Sequence, residues 1–283
     1  MKISDILISK DFTYSLEVFP PKEWSKLEKT KATVASMLES SPDFMSVTYG
    51  AAGTTSGYTS EITKAIIEDG FTPLAHLTCL TSTKSKVDSV INEMKANGVE
   101  NILALRGDIP EGFVFPDKQY FRYAYELVNE IKALGDFCIG GACYPETHPE
   151  SKSPEADLEN LKNKVSCGID FLTTQMFFDN STFLSFKDKC LNSGIEAPII
   201  AGIMPITSPA QINRIIFLSG CKIPKELLEL VDKYKDSPED LYKAGLDHCI
   251  NQILSLKAAG QKYIHIYTMN KPDAAKAILS GIR

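Results

Sequence analysis

Glu17 is the residue whose surroundings point most directly to chemistry. It sits in the run Leu16-Glu17-Val18-Phe19, where a carboxyl group loses solvation and its pKa should rise. A carboxyl kept protonated near neutral pH can serve as a general acid; the alternative is a buried carboxylate paired with Arg106 or Lys271. A second candidate is Arg106-Gly107-Asp108, a cation, a flexible backbone and an anion in succession, suited to a phosphate or the polar edge of a ring. Its alternative is a local surface ion pair. Asp157, Asn160 and Lys164 fall at i, i+3 and i+7, a stripe that by itself reads as a solvated helix face. Of the histidines, His76 and His148 fall near strand ends, whereas His248 and His265 are expected to serve structure.

These residues need a scaffold, and the chain supplies a regular one. Short apolar or β-branched runs recur at 13–19, 44–49, 73–79, 101–105, 137–143, 171–175, 198–203 and 263–267. Each is followed by a segment of helical periodicity, the pattern of parallel βα units. Val87, Val90, Ile91 and Met94 form one apolar stripe, stopped by Gly98; Leu27, Val34 and Leu38 form another. Ser153-Pro154 reads as an N-cap with proline in the first turn, Leu158, Leu161 and Val165 turn inward, and Gly168 closes the helix. Gly135, Gly194 and Gly260 are expected to close other helices in the same way. Between the seventh and eighth strands the chain carries extra helices at roughly 209–219, 224–235 and 238–259.

Eight βα units in 283 residues fit a single (β/α)8 TIM barrel in one domain spanning 1–283. An open doubly wound sheet usually has fewer strands, and its dinucleotide-binding forms carry a glycine-rich first turn. Here that turn reads VFPPKEW, without glycine. A TIM barrel places its chemistry at the carboxyl ends of its strands. There stand Glu17, Thr48, Tyr49, His76, Thr78, Arg106, Asp108, Tyr144, His148, Gln175, Tyr267, Asn270 and Lys271. No HExxH, GxSxG, P-loop or GxGxxG pattern occurs, which disfavours zinc-protease, serine-hydrolase and nucleotide-hydrolase chemistry.

The bulk properties exclude other classes. A formal charge of −6 and a pI near 5.4 leave no basic footprint for nucleic acid. No apolar run approaches the roughly 20 residues of a membrane span, and the opening MKISDILISKDF has acids where a signal peptide is apolar, so a cytoplasmic location is expected. The seven cysteines are scattered without a CxxC pair or zinc spacing. They are expected to be reduced, packed thiols, and no metal site is expected.

The segments LEVFPPK (16–22), FMSVTYGA (44–51), PLAHLTC (73–79), LALRGDIP (103–110), YPETHPESKSPEADLENLKNKV (144–165), TQMFFD (174–179), GIMPIT (202–207) and HIYTMNK (265–271) resemble the methylenetetrahydrofolate reductases. They stand in the family's order along nearly the whole chain. The resemblance implies a TIM barrel with FAD that reduces 5,10-methylenetetrahydrofolate to 5-methyltetrahydrofolate in one-carbon metabolism. Electrons come from NAD(P)H by a ping-pong route. Glu17 matches the family's general acid, Asp108 the carboxylate near flavin and pterin, and Gln175 a pterin-contacting amide. The flavin-binding set carries over as Thr48, Tyr49, His76, Arg106, Gly107, Asp108, Tyr144, His148, Asp157, Asn160 and Lys164, which turns the 157/160/164 stripe into a cofactor wall. Homo-oligomers are usual in the family.

Departures from the family pattern bear on substrate and donor. Lys271 stands where arginine is common, which removes a bidentate fork for a carboxylate such as the folate's glutamate tail. Pro209 stands where an aromatic is expected, and Asn163 where a basic residue is frequent. The chain ends at Arg283, so the regulatory domain of longer eukaryotic members is not expected. Two other readings remain open: a pterin-binding methyltransferase-type barrel without flavin, and a flavin or folate subunit dependent on a partner such as a protein electron donor.

Overall fold

Eight short strands close on themselves in sequence order, β1-β2-β3-β4-β5-β6-β7-β8, with every neighbouring pair parallel. The strands are β1 (Thr13–Val18), β2 (Phe44–Val47), β3 (Pro73–Thr78), β4 (Asn101–Leu105), β5 (Cys138–Cys143), β6 (Phe171–Thr174), β7 (Ile199–Ile203) and β8 (Tyr263–Ile266). The computed structural model describes residues 1–49, 56–109 and 120–283. Gly50, Ala51 and Pro110, which belong to segments carrying the family resemblance, lie outside the described residues. The closed parallel barrel is the TIM architecture expected from the eight βα units. Most strands are a residue or two shorter than their apolar runs: β1, β2, β3, β6 and β8 give up their last residues to the loops above the barrel, and β5 and β7 their first.

The helices are α1 (Ile3–Ser9), α2 (Leu27–Leu38), α3 (Ser56–Glu68), α4 (Lys84–Ala96), α5 (Ala124–Leu134), α6 (Pro154–Ser166), α7 (Asn180–Asn192), α8 (Pro209–Ser219), α9 (Lys225–Lys233), α10 (Pro238–Ala258) and α11 (Pro272–Ile282). The insertion between β7 and β8 is thus present as α8, α9 and α10. Pro209 opens α8 behind Ser208 as N-cap, a position where a missing N–H costs nothing. Gly98, Gly168, Gly194 and Gly260 take positive φ after their helices. Gly135 does not: it caps α5 in extended backbone, with φ −177°.

Two apolar layers arise from strand alternation. Leu16, Val18, Met45, Val47, Ala75, Leu77, Ile264 and Ile266 point outward to the helix ring. Phe44, Leu74, Leu103, Phe171 and Ile200 fill the lower barrel interior, closed by Ile3, Ile6 and Leu7 of α1. That plug was not anticipated. Its i, i+3, i+4 triplet is visible in the sequence, but seven residues are too few for periodicity to stand out. The seven cysteines are free thiols, six of them buried and Cys167 half-buried.

Candidate active site

The upper interior of the barrel is polar. Ser15 and Glu17 share a face of β1, and register places Glu17 beside Ser46 and Ser15 beside His265. Glu17 is only 5% exposed. Its Oε2 lies 3.7 Å from Nε2 of His76, 3.7 Å from Nε2 of His265 and 3.5 Å from the Ser46 hydroxyl. Ser15 Oγ is 2.8 Å from Nδ1 of His265. Burial pushes His76 down from 6.5 to about 4, against the pull of Glu17, so that ring is neutral at physiological pH. Its Nε2 is buried and has no hydrogen-bond partner among the described residues. The pairing with Arg106 or Lys271 offered as an alternative for Glu17 does not form. Arg106 pairs with Glu150, and Lys271 Nζ donates to Thr207 Oγ1 at 2.8 Å.

The loop after β8 holds this centre in place. Thr268 Oγ1 donates to the Glu17 carbonyl at 3.0 Å. Asn270, with φ 55°, exchanges two hydrogen bonds with the Phe19 backbone at 2.8 and 2.9 Å. The end of β1 is therefore clamped next to its carboxylate. Tyr267 packs edge-on against His265, and its hydroxyl donates to the Thr174 carbonyl at 2.6 Å. Gly202 makes room for that ring, because a Cβ there would stand 2.7 Å from it. Burial holds the Tyr267 phenol well above its ordinary range.

Beside this centre opens a cleft of about 1350 Å³ between the ends of β3–β5 and the face of α6. Tyr49, Arg106, Gly107, Asp108, Tyr144, His148, Asp157, Asn160 and Lys164 line it. The physical basis is α6, which buries only Leu161 completely; its Asp157, Asn160 and Lys164 turn to the cleft. Ser153 caps α6 by accepting from the Ala156 N–H at 3.2 Å. Asp157 accepts the His148 N–H at 3.0 Å, and His148 Nδ1 accepts the Glu150 N–H at 3.1 Å. The segment between Tyr144 and Ser153 is thereby folded over the cleft. Burial lowers the pKa of Lys164 and pushes Tyr144 up to about 12, with Asp108 adding to the latter.

Thr48 and His76 do not line this cleft, nor do Glu17, Gln175 and Lys271; they stand at the adjoining barrel mouth. Gln175 follows β6 directly, its Oε1 accepting the Met176 N–H at 2.9 Å. Lys271 also lies 5.7 Å from the Tyr242 ring centre on α10. Sequence reasoning missed His265, Ser46, Tyr123 and Glu150. The first two were open to detection by strand alternation, being interior positions level with Ser15 and Glu17. Tyr123, which lines the cleft and stacks on Tyr125 at 5.7 Å, lies at a helix N-cap with no pattern to mark it.

The size and donor set of the cleft fit a dinucleotide-sized cofactor. Its volume exceeds the roughly 300–1,000 Å³ of ordinary ligand pockets. Arg106 and Lys164 offer cations, and Asp157 and Asn160 offer partners for hydroxyl groups. At Gly107, φ is +87° and a Cβ would meet Thr78 at 3.1 Å, so the backbone there keeps a bare, close-packed turn.

Comparison with known proteins agrees with this architecture. The 5,10-methylenetetrahydrofolate reductase of Escherichia coli K12 is 36% identical over 266 residues, covering 93% of this chain and 88% of that protein. Methylenetetrahydrofolate reductase 1 of Schizosaccharomyces pombe is 36% identical over 291 residues, all of this chain but 48% of that protein. A Clostridium thermocellum protein, described as binding two copies of 5-methyl-5,6,7,8-tetrahydrofolic acid, superposes with a TM-score of 0.64. At 13% identity, covering 100% of this chain and 99% of that one, it speaks to fold alone. The sequence model of methylenetetrahydrofolate reductase matches residues 2–283, and the chain belongs to that family of oxidoreductases.

Proposed function

We propose that the chain reduces 5,10-methylenetetrahydrofolate to 5-methyltetrahydrofolate, with FAD as cofactor and NAD(P)H as donor in a ping-pong sequence. The observation that carries this reading is the adjacency of two features: a cleft of about 1350 Å³ and a barrel mouth that buries Glu17 beside a neutral imidazole. Arg106, Gly107 and Lys164 would hold the diphosphate, Asp157 and Asn160 the hydroxyl groups, and Tyr49 and Tyr144 would flank a ring. When bound, FAD would supply hydride transfer between nicotinamide and folate, chemistry that no side chain provides.

Glu17 gives a proton to the bridge nitrogen that leaves as the methylene ring of the folate opens, which produces an electrophilic iminium. The loose 3.5–3.7 Å spacing around Glu17 is usual for acid–base groups before substrate tightens them. Asp108 adds negative charge beside the cofactor, Gln175 meets the polar edge of the pterin, and Lys271 meets a carboxylate of the tail.

Anaerobic mixing tests the reading. Protein reconstituted with FAD should lose flavin absorbance on adding NADH or NADPH, and regain it on adding methylenetetrahydrofolate. A protein unable to take up FAD would instead be a methyltransferase-type barrel. One that holds FAD but is bleached by neither nucleotide would depend on a protein donor.

A further inference from the structure

Arg106, the strongest cation of the cleft, already has an anion. Its Nη1 and Nη2 donate to the two carboxylate oxygens of Glu150 at 2.7 and 2.8 Å, and its Nε to the Gly107 carbonyl at 3.3 Å. The fork that would receive two oxygens of a phosphate is filled by a carboxylate of the same geometry. The pair holds Arg106 more firmly protonated and Glu150 more firmly ionised than either would be alone. Among the described residues lining the cleft, Arg106, Lys152 and Lys164 are matched by Asp108, Glu150 and Asp157. With Glu150 in place the cleft therefore has no surplus positive charge to attract an anion.

The two partners differ in freedom. Arg106 has a side chain 22% exposed, whereas that of Glu150 is 53% exposed. Apart from Arg106, the Glu150 carboxylate has no hydrogen-bond partner among the described residues, and the loop is held separately through the Glu150 N–H to His148 Nδ1, so the carboxylate can rotate into water while the loop stays folded. The pair is bidentate, but the half that must move, Glu150, is the exposed one, so a diphosphate that offers Arg106 the same fork can exchange with it.

We propose that Glu150 is an internal counter-ion that a diphosphate must displace from Arg106, and that it sets the affinity and rate with which the anionic half of the cofactor is taken up. Glu150 thereby weakens the binding of every ligand that must take over the Arg106 fork and leaves a flavin without phosphate unaffected. The inference rests on the FAD reading for the identity of the ligand, but the exchange itself concerns any diphosphate.

The test uses protein stripped of flavin, with flavin fluorescence and stopped-flow mixing as readouts, and FAD, riboflavin and ADP as probes. Glu150→Gln should tighten FAD and ADP by about 3- to 10-fold, the range an exposed bidentate pair can set. Much of the gain should appear as faster association, and riboflavin binding should not change. Glu150→Asp, which keeps the charge on a shorter arm, should fall between the two, and far-UV circular dichroism confirms that each variant folds. Weaker FAD binding in Glu150→Gln would make Glu150 an orienting partner of Arg106 and overturn the proposal. So would an equal change for riboflavin, or no change. If ADP shows the Glu150 dependence while neither flavin binds, the exchange stands and the FAD reading fails. If FAD binds the parent protein and the variants alike, the reverse holds.

Discussion

The carboxylate of Glu17 and the imidazole of His265 face each other at 3.7 Å inside the barrel, although they lie at opposite ends of the chain. Closure of β8 onto β1 makes them neighbours, and Ser15 fixes the far side of the imidazole at 2.8 Å. Glu17 is thus a buried carboxyl with a built surrounding, in which the titratable side chains paired with it among the described residues are not lysine or arginine but two histidines.

Replacing the acid should separate the two half-reactions. Glu17→Gln keeps shape and removes the proton, so reduction of FAD by the nucleotide should persist while reduction of methylenetetrahydrofolate falls by about 10² to 10⁴, the usual contribution of a general acid. Single-turnover absorbance in each half-reaction is the measurement, and survival of both would remove Glu17 from the role.

His76 makes stability depend on mild acid. Its pKa is about 4 in the fold against 6.5 for a free histidine, so between those values the unfolded chain binds a proton that the native protein does not. Stability should decline as pH falls below about 6.5 and level off below about 4, by about 3 kcal/mol at most from this group. Urea titrations at pH 7 and pH 5 should show the loss in the parent protein and a smaller one in His76→Gln. An unchanged slope in that variant would assign the effect elsewhere.

Two helical glycines should behave oppositely. A Cβ on Gly245 in α10 would stand 1.7 Å from the Ile206 carbonyl oxygen, whereas one on Gly57 in α3 meets none of the described residues within 4 Å. Gly245→Ala should cost about 1–3 kcal/mol as the inserted helix is pushed off the loop after β7. Gly57→Ala should be neutral or stabilising by up to about 1 kcal/mol. Denaturant midpoints for both variants decide the matter; equal shifts would mean that α10 does not need this close approach.

Tyr267→Phe removes the donor to the Thr174 carbonyl, which lies one peptide before Gln175. Leaving that buried acceptor unpaired should cost about 1–3 kcal/mol. If the hydroxyl positions Gln175, the KM for folate should also rise while flavin reduction by the nucleotide is untouched. A stability loss with unaltered folate kinetics would confine Tyr267 to a packing role.

The sequence by itself determined the barrel and its polar rim. Alternating runs of apolar β-branched residues and 3.6-residue stripes are local signals, and eight of them in order leave few other folds. Glu17, the Arg106-Gly107-Asp108 turn and the Asp157/Asn160/Lys164 stripe were legible for the same reason, since residue type and local spacing mark them. Only the tertiary structure decided which of these meet. It set His265 and Ser46 beside Glu17, gave Arg106 to Glu150 rather than to Glu17, and left Thr48 and His76 outside the cleft that the rest of the expected cofactor set lines. It also placed α1 as a plug under the barrel. Such pairings depend on strand register, barrel closure and loop course, which bring together residues as far apart as β1 and β8 and leave no trace in local pattern.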